Sequence, residues 1–207
     1  MRAITKGDEP ACLAAHRAQE FSDYANYQGK PALRAALVAE QRGLCCYCMS
    51  RIAADGQQMK IEHWRGQTAF PELQLSYVNL LGACRGNEGE PLVNQHCDTR
   101  KGGRDLMVNP AAMPEEIVAG IRYLTNGEMR SDHQQLDQEI DEVLGLNIAG
   151  IKNNRKSALD VVLQWWQSIR PNDNQIQAQI AKIDDGASEL NPFAPVAVWF
   201  LKRKLAA

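Results

Sequence analysis

The chain has 207 residues, 44% hydrophobic and 23% charged, near the averages of globular proteins, so it can bury a sizeable core as one domain or two small ones. Its formal net charge of −2, from 23 basic and 25 acidic residues, argues against a polycationic nucleic-acid coat or a polybasic membrane binder. There is no run of about 18 apolar residues to span a membrane, and the first ten residues lack the apolar stretch of a secretion signal. The expectation is a soluble cytoplasmic protein with no membrane partner.

In chain order, residues 30–43 read as a helix, with Pro31 in its first turn, Leu33, Leu37 and Glu40 on one face, and Gly43 placed to close it. Residues 45–52 read as a turn-rich segment ending in a short strand, and 59–62 as a second strand, the two pairing across 53–56. A loop at 66–71 precedes a helical piece over 75–83, and a polar, Gly-rich insertion fills 85–95. Beyond Asn109-Pro110 the texture changes. Asn126-Gly127 between alternating residues signals a hairpin over 121–129. Ser131-Asp132 then caps a helix to about 144, with Leu136, Ile140, Val143 and Leu144 on one face. Asn147 caps another running to 169, which buries Ile151, Leu159, Val162, Leu163 and Trp166 and ends at Pro171. Two more helices, 174–183 and 195–205, are separated by Asp185-Gly186 and Asn191-Pro192. The fold class is α+β and predominantly helical, divided into an arm and helix (1–44), a small core (45–109) and a hairpin plus helical region (110–207). Residues 1–104 hold 13 basic and 11 acidic groups and residues 105–207 hold 10 and 14, so the second half is acidic and suits protein docking better than nucleic acid.

Six cysteines stand at 12, 45, 46, 48, 84 and 97. Clustered cysteines in a reducing compartment read as metal ligands rather than disulfides. Cys45-x-x-Cys48 followed by Cys84 and Cys97 supplies four thiolates, enough for one closed tetrahedral zinc site. Cys12 and Cys46 read as buried small hydrophobes, with Cys46 as a substitute ligand.

Taken in order, Cys45-x-x-Cys48, Ile61-Glu62-His63, Asn79-Leu80-Leu81, Cys84 and Cys97-Asp98-x-x-Lys101-Gly102 resemble the zinc-containing HNH endonucleases, whose core is of the ββα-metal type. The combination is more specific than any of its parts. The resemblance implies phosphodiester cleavage, which needs a water made nucleophilic, and His63 is the side chain able to take its proton near neutral pH. Glu62 and Asp98 offer oxygen ligands to a catalytic Mg²⁺ or Mn²⁺, with His96 as a substitute ligand. Asn79 is expected to orient His63, and Arg65, Arg100, Lys101 and Arg104 to neutralise phosphates. The zinc, closed by Cys45, Cys48, Cys84 and Cys97, is structural. Glu62 and Asp98 depart from the commoner Asp and Asn or His of this pattern, and twelve residues separate Cys84 from Cys97.

A narrower resemblance rests on Arg2-x-Ile4-x-Lys6-Gly7-x-Glu9-Pro10, Leu33-Arg34-x-x-Leu37-x-x-Glu40-Gln41-x-Gly43-Leu44-Cys45-Cys46-Tyr47-Cys48-Met49-x-Arg51-Ile52, Ile61-Glu62-His63-Trp64 and His96-Cys97-Asp98-x-x-Lys101-Gly102. These stretches are similar to the PtuB-type HNH nucleases of Septu and retron-associated bacterial anti-phage systems, which use Glu and Asp in the places of Glu62 and Asp98. The resemblance implies an ABC-type ATPase partner, PtuA, and leaves room for a retron reverse transcriptase and its msDNA. It implies a nucleic-acid substrate, DNA before RNA such as tRNA. A non-catalytic zinc-stabilised binding module is the alternative from another class. Residues 110–207, with Trp165 and Trp166, are expected to dock the partner. Neither the His-x-Glu nor the Pro-Cys-x-x-Cys string of zinc deaminases occurs, and a disulfide oxidoreductase would leave Glu62, His63 and Asp98 without a role.

Overall fold

The computed structural model describes residues 1–184, 186 and 189–206; Asp185 of the expected Asp185-Gly186 break lies outside them. The elements run α1 (Ala11–Arg17), α2 (Lys30–Glu40), β1 (Met59–His63), β2 (Leu80–Cys84), α3 (Cys97–Lys101), α4 (Glu115–Gly120), β3 (Ile121–Tyr123), β4 (Met129–Ser131), α5 (Gln134–Glu142), α6 (Ala149–Ile169), α7 (Asp173–Ile183) and α8 (Ala194–Leu205). The α+β, mainly helical class read from the sequence is the one observed. No helix among the described residues is long and apolar enough to cross a membrane.

α2 forms as its pattern dictates. Leu33 and Leu37 are buried, and the Gly43 amide returns to the Val38 carbonyl at 2.9 Å to close the helix, as a C-terminal glycine should. The strand pairing differs from the expectation. Only an isolated bridge, Leu44 to Arg51, forms in the 45–52 segment. β1 instead pairs antiparallel with β2, from Met59 opposite Cys84 to His63 opposite Leu80. The helix expected over 75–83 is therefore a 3₁₀ turn, Tyr77–Asn79, followed by that strand. The reason is burial on both faces: every residue of β2 is buried, and an unbroken apolar run carries no period that separates strand from helix. Gln41, fully buried, serves the far edge of β2. Its side chain accepts from the Gly82 amide at 2.6 Å and donates to the Gly82 carbonyl at 2.8 Å. A Cβ at Gly82 would lie 2.9 Å from Ile52 Cδ1 and 3.1 Å from Met59 Cε, so those side-chain ends would have to shift to admit it.

The second half is the expected hairpin followed by helices. β3 and β4 pair from Ile121 opposite Ser131 to Tyr123 opposite Met129. The turn requires its glycine: Gly127 has φ +84°, and a Cβ would come 2.1 Å from the Lys152 carbonyl. Two expected caps do other work. α5 starts at Gln134 without a side-chain cap; Ser131 Oγ accepts the His133 amide and Asp132 pairs with Arg122. Asn147 does not cap α6. It accepts from the Met129 amide at 2.8 Å and donates to the Met129 carbonyl at 2.9 Å, satisfying the free edge of β4, whose backbone groups would otherwise be orphaned. Ile151, Leu159 and Val162 are buried on α6 as expected, while Leu163 and Trp166 are partly buried. Met1 and Ile4 of the arm, Tyr47 and Met49 of the cysteine loop, Tyr123 and Met129 of the hairpin, and Val196 and Leu201 of α8 all join one core.

Candidate metal centre and active site

Pairing β1 with β2 carries Cys84 to the end of the strand nearest the 45–48 loop, and α3 begins at Cys97. The sulfurs of Cys45, Cys48, Cys84 and Cys97, all buried, lie within 4.8 Å of one another. Cys45 Sγ is 3.8 Å from Cys97 Sγ, and Cys48 Sγ is 3.7 Å from Cys84 Sγ. A tetrahedron with zinc–sulfur bonds of about 2.3 Å has edges of about 3.8 Å, so the spacing fits such an ion. The amides of Cys84 and Ser50 approach Cys45 Sγ and Cys48 Sγ at 3.3 and 3.5 Å, bonds that favour thiolates. Against its burial, the Cys45 thiol is held well below the usual range by hydrogen bonds from its neighbours. Burial and the same neighbours push Cys97 well above it. Met49 and Cys97 adopt left-handed backbone at φ +67° and +54°, conformations that cost energy in non-glycine residues and cluster at functional sites. The four buried cysteines can hold a structural metal such as zinc. Cys46 is buried but outside the group, and Cys12, expected to be buried, is exposed with its thiol 3.2 Å from the Tyr27 hydroxyl.

On the next stretch of β1, Glu62 and His63 come together with Asp98 from α3 at a groove of about 550 Å³, whose rim is completed by Gln67, Gly102 and Gly103. Glu62 is 2% exposed. Its Oε1 accepts from the Tyr47 hydroxyl at 2.7 Å and from the Lys101 ammonium at 2.8 Å. Burial and a hydrogen bond with Asp98 push its carboxyl well above the usual range, opposed by Lys101. Two carboxylates in contact in a groove are a donor set suited to a hard divalent cation, which takes one or two carboxylates and fills its remaining positions with water or phosphate oxygens.

The His63 ring packs edge-on against Tyr24, with centroids 4.5 Å apart. Nε2 lies 3.0 Å from the Gln74 carbonyl and Nδ1 lies 3.3 Å from the Gln67 amide nitrogen. A carbonyl can only accept, so this geometry assigns the proton to Nε2 and leaves Nδ1 unprotonated, accepting from the Gln67 side-chain amide. Burial lowers the imidazole pKa, opposed by the bond to Gln74 and by Asp98, a shift that favours the neutral ring.

Several expected roles change. Asn79 does not bond to His63. Its Oδ1 accepts the Arg65 amide at 2.8 Å, and its Nδ2 donates to the carbonyls of Arg65 at 3.1 Å and Leu73 at 3.2 Å. It pins the chain one residue before the carbonyl that holds His63, because a short buried amide satisfies nearby backbone groups first. His96 is no substitute at the Glu62–Asp98 pair: its Nδ1 is 3.1 Å from Cys97 Sγ and 3.9 Å from Cys84 Sγ. Lys101, expected to grip phosphate, is 1% exposed and spends its ammonium on Glu62 and the His63 carbonyl, since a buried cation must be paired. Arg65 pairs with Asp105 at 3.1 Å and stacks on Trp64. Arg100 donates to the Leu92 carbonyl at 2.8 Å. Arg104 donates to the carbonyls of Arg100, Lys101, Glu142 and Val143, closing the ends of two helices. None of the four lines the groove. Three contributors escaped the sequence reading. Gln74 acts through its backbone, which no side-chain pattern reveals; Gln67 is a lone polar residue in a loop; Tyr47 was signalled only by its place inside Cys-x-x-Cys.

No family model matches the chain. Over 91 residues it is 32% identical to the Septu protein PtuB of Bacillus thuringiensis, covering 39% of this chain and 35% of that protein. The chain spans about a third of the length of the relative it matches.

Proposed function

We propose that the chain is a metal-dependent HNH endonuclease acting as a defence effector. The observation that carries this reading is the meeting of His63, its Nε2 held on the Gln74 carbonyl, with Glu62 and Asp98 at one groove. The antiparallel β1–β2 pair followed by α3, braced by four cysteines, has the order of a ββα-metal core, and the similarity to Septu protein PtuB supports the defence role. His63 takes the proton of an attacking water at Nδ1 while Nε2–H stays on the Gln74 carbonyl, so the ring keeps its orientation through the transfer. Glu62 and Asp98 would hold Mg²⁺ or Mn²⁺, whose chemistry when bound is to stabilise negative charge on the scissile phosphate and its leaving oxygen. Zinc on the four cysteines would brace the short ββα unit where it joins the apolar core.

In this reading the phosphate-binding role passes from Arg65, Arg100, Lys101 and Arg104 to cations of α2. Arg34 carries a buried Nε without a hydrogen-bond partner, and Lys30 stands 4.9 Å over the Tyr24 ring that packs on His63. DNA is the favoured substrate, with an ABC-type ATPase as the partner docked on the helices beyond residue 110.

The test is cleavage of plasmid DNA and of tRNA by His63→Ala, with the ATPase present. Cutting is expected to fall 10²- to 10⁴-fold, the contribution of a general base, with zinc content unchanged. Unchanged cutting, or full anti-phage protection by a chain lacking both Glu62 and His63 side chains, would leave a zinc-stabilised binding module.

A further inference from the structure

We propose that Tyr47 positions Glu62 for divalent-cation binding, and so ties the geometry of the oxygen site to the cysteine loop. The inference rests on the nuclease reading and deepens it. Tyr47 is fully buried and stands between Cys46 and Cys48. Its hydroxyl reaches Glu62 Oε1 at 2.7 Å. Lys101 Nζ lands on the same oxygen at 2.8 Å. One carboxylate oxygen thus takes both donors, and the carboxyl meets Asp98 with that oxygen already held. The two donors differ in what holds them. Lys101 follows Asp98 on α3, so it moves with the other half of the carboxylate pair. Tyr47 is fixed by the sulfur loop: the Cys46 amide bonds the Gly82 carbonyl at 3.0 Å, the Met49 amide bonds the Cys45 carbonyl at 3.1 Å, and Met49 is left-handed at φ +67°. A phenol on two side-chain torsions, anchored in such a loop, has little freedom to release Glu62 while the four sulfurs stay gathered. Closing the cysteine cluster therefore sets which oxygen of Glu62 faces the groove.

Partners that orient metal-binding carboxylates and histidines are worth about 10- to 100-fold in metal affinity. The phenylalanine substitution keeps the ring that fills the core and removes only the hydroxyl, so it separates packing from positioning. The experiment is Mn²⁺ titration of the full, zinc-loaded chain followed by electron paramagnetic resonance, comparing the unsubstituted protein with Tyr47→Phe. Zinc per chain and thermal unfolding are measured on the same samples. The expected result is Mn²⁺ binding weakened at least tenfold, with zinc retained. Mn²⁺ affinity within twofold of the unsubstituted chain would overturn the inference while leaving the nuclease reading intact. Loss of zinc from Tyr47→Phe would overturn it too, since the hydroxyl would then serve the cysteine cluster itself. An unsubstituted chain that binds no Mn²⁺ would remove the nuclease reading, and this inference with it.

Discussion

Residues 45–103 and the helices beyond residue 134 share one apolar core, but the first region adds directional bonds that fix its chemistry-bearing groups. In the first region, positions are set by sulfur and by side chains bonded to backbone: four gathered cysteines, Gln41 on Gly82, Asn79 on Arg65 and Leu73, and Lys101 on Glu62 and the His63 carbonyl. In the second, α6 and α8 pack by apolar burial of Leu159, Val162, Val196 and Leu201. Burial is non-directional and tolerates small shifts, whereas ligand and hydrogen-bond geometry does not. The region with the candidate chemistry is built from the directional kind, which lets a short hairpin and a five-residue helix hold groups in fixed relation.

The contrast can be broken most forcefully at the sulfur cluster. Cys48→Ser is expected to lose zinc and cost on the order of 5 kcal/mol or more, part of the roughly 10–16 kcal/mol that structural zinc supplies to small metal-folded units. Zinc analysis with chemical denaturation checks this, and a stable zinc-free chain would mean that apolar packing alone holds residues 45–103. Leu159→Ala tests the other side. A cavity under α6 should cost about 2–4 kcal/mol in urea unfolding, with zinc stoichiometry and Mn²⁺ affinity unchanged; a change in either would show that the two regions are not separable. Asn79→Ala sharpens the comparison further. It strips the buried Arg65 amide of its partner, at a cost of about 1–3 kcal/mol, and loosens the 73–74 segment behind His63. Cleavage should fall more than the stability loss explains when measured well below the melting temperature, and a proportionate fall would reduce Asn79 to a structural staple.

The legible parts of the molecule were those where residue type and local spacing suffice. Lys30 to Gly43 announced α2, Asn126-Gly127 announced the hairpin, and Cys45-x-x-Cys48 with Cys84 and Cys97 announced a cluster that forms as read. Misreadings arose where partners are distant in sequence. The stretch 75–83 looked helical because the strand over its second half, buried on both faces, has no alternation to display. The basic residues at 65, 100, 101 and 104 looked free for phosphate because nothing local says that Arg104 closes helix ends or that Lys101 is buried on Glu62. Asn147 looked like a helix cap because a cap and an edge-strand clamp use the same side chain.

By itself, the sequence determined the ligand chemistry and the amphipathic helices, since both follow from side-chain type and from periods of a few residues. Only the tertiary structure decided which strand pairs with β1, which cations stay available, and that the Gln74 carbonyl, not Asn79, holds His63. Those outcomes depend on satisfying buried backbone and charged groups across long separations, and that accounting closes only once the whole chain has folded.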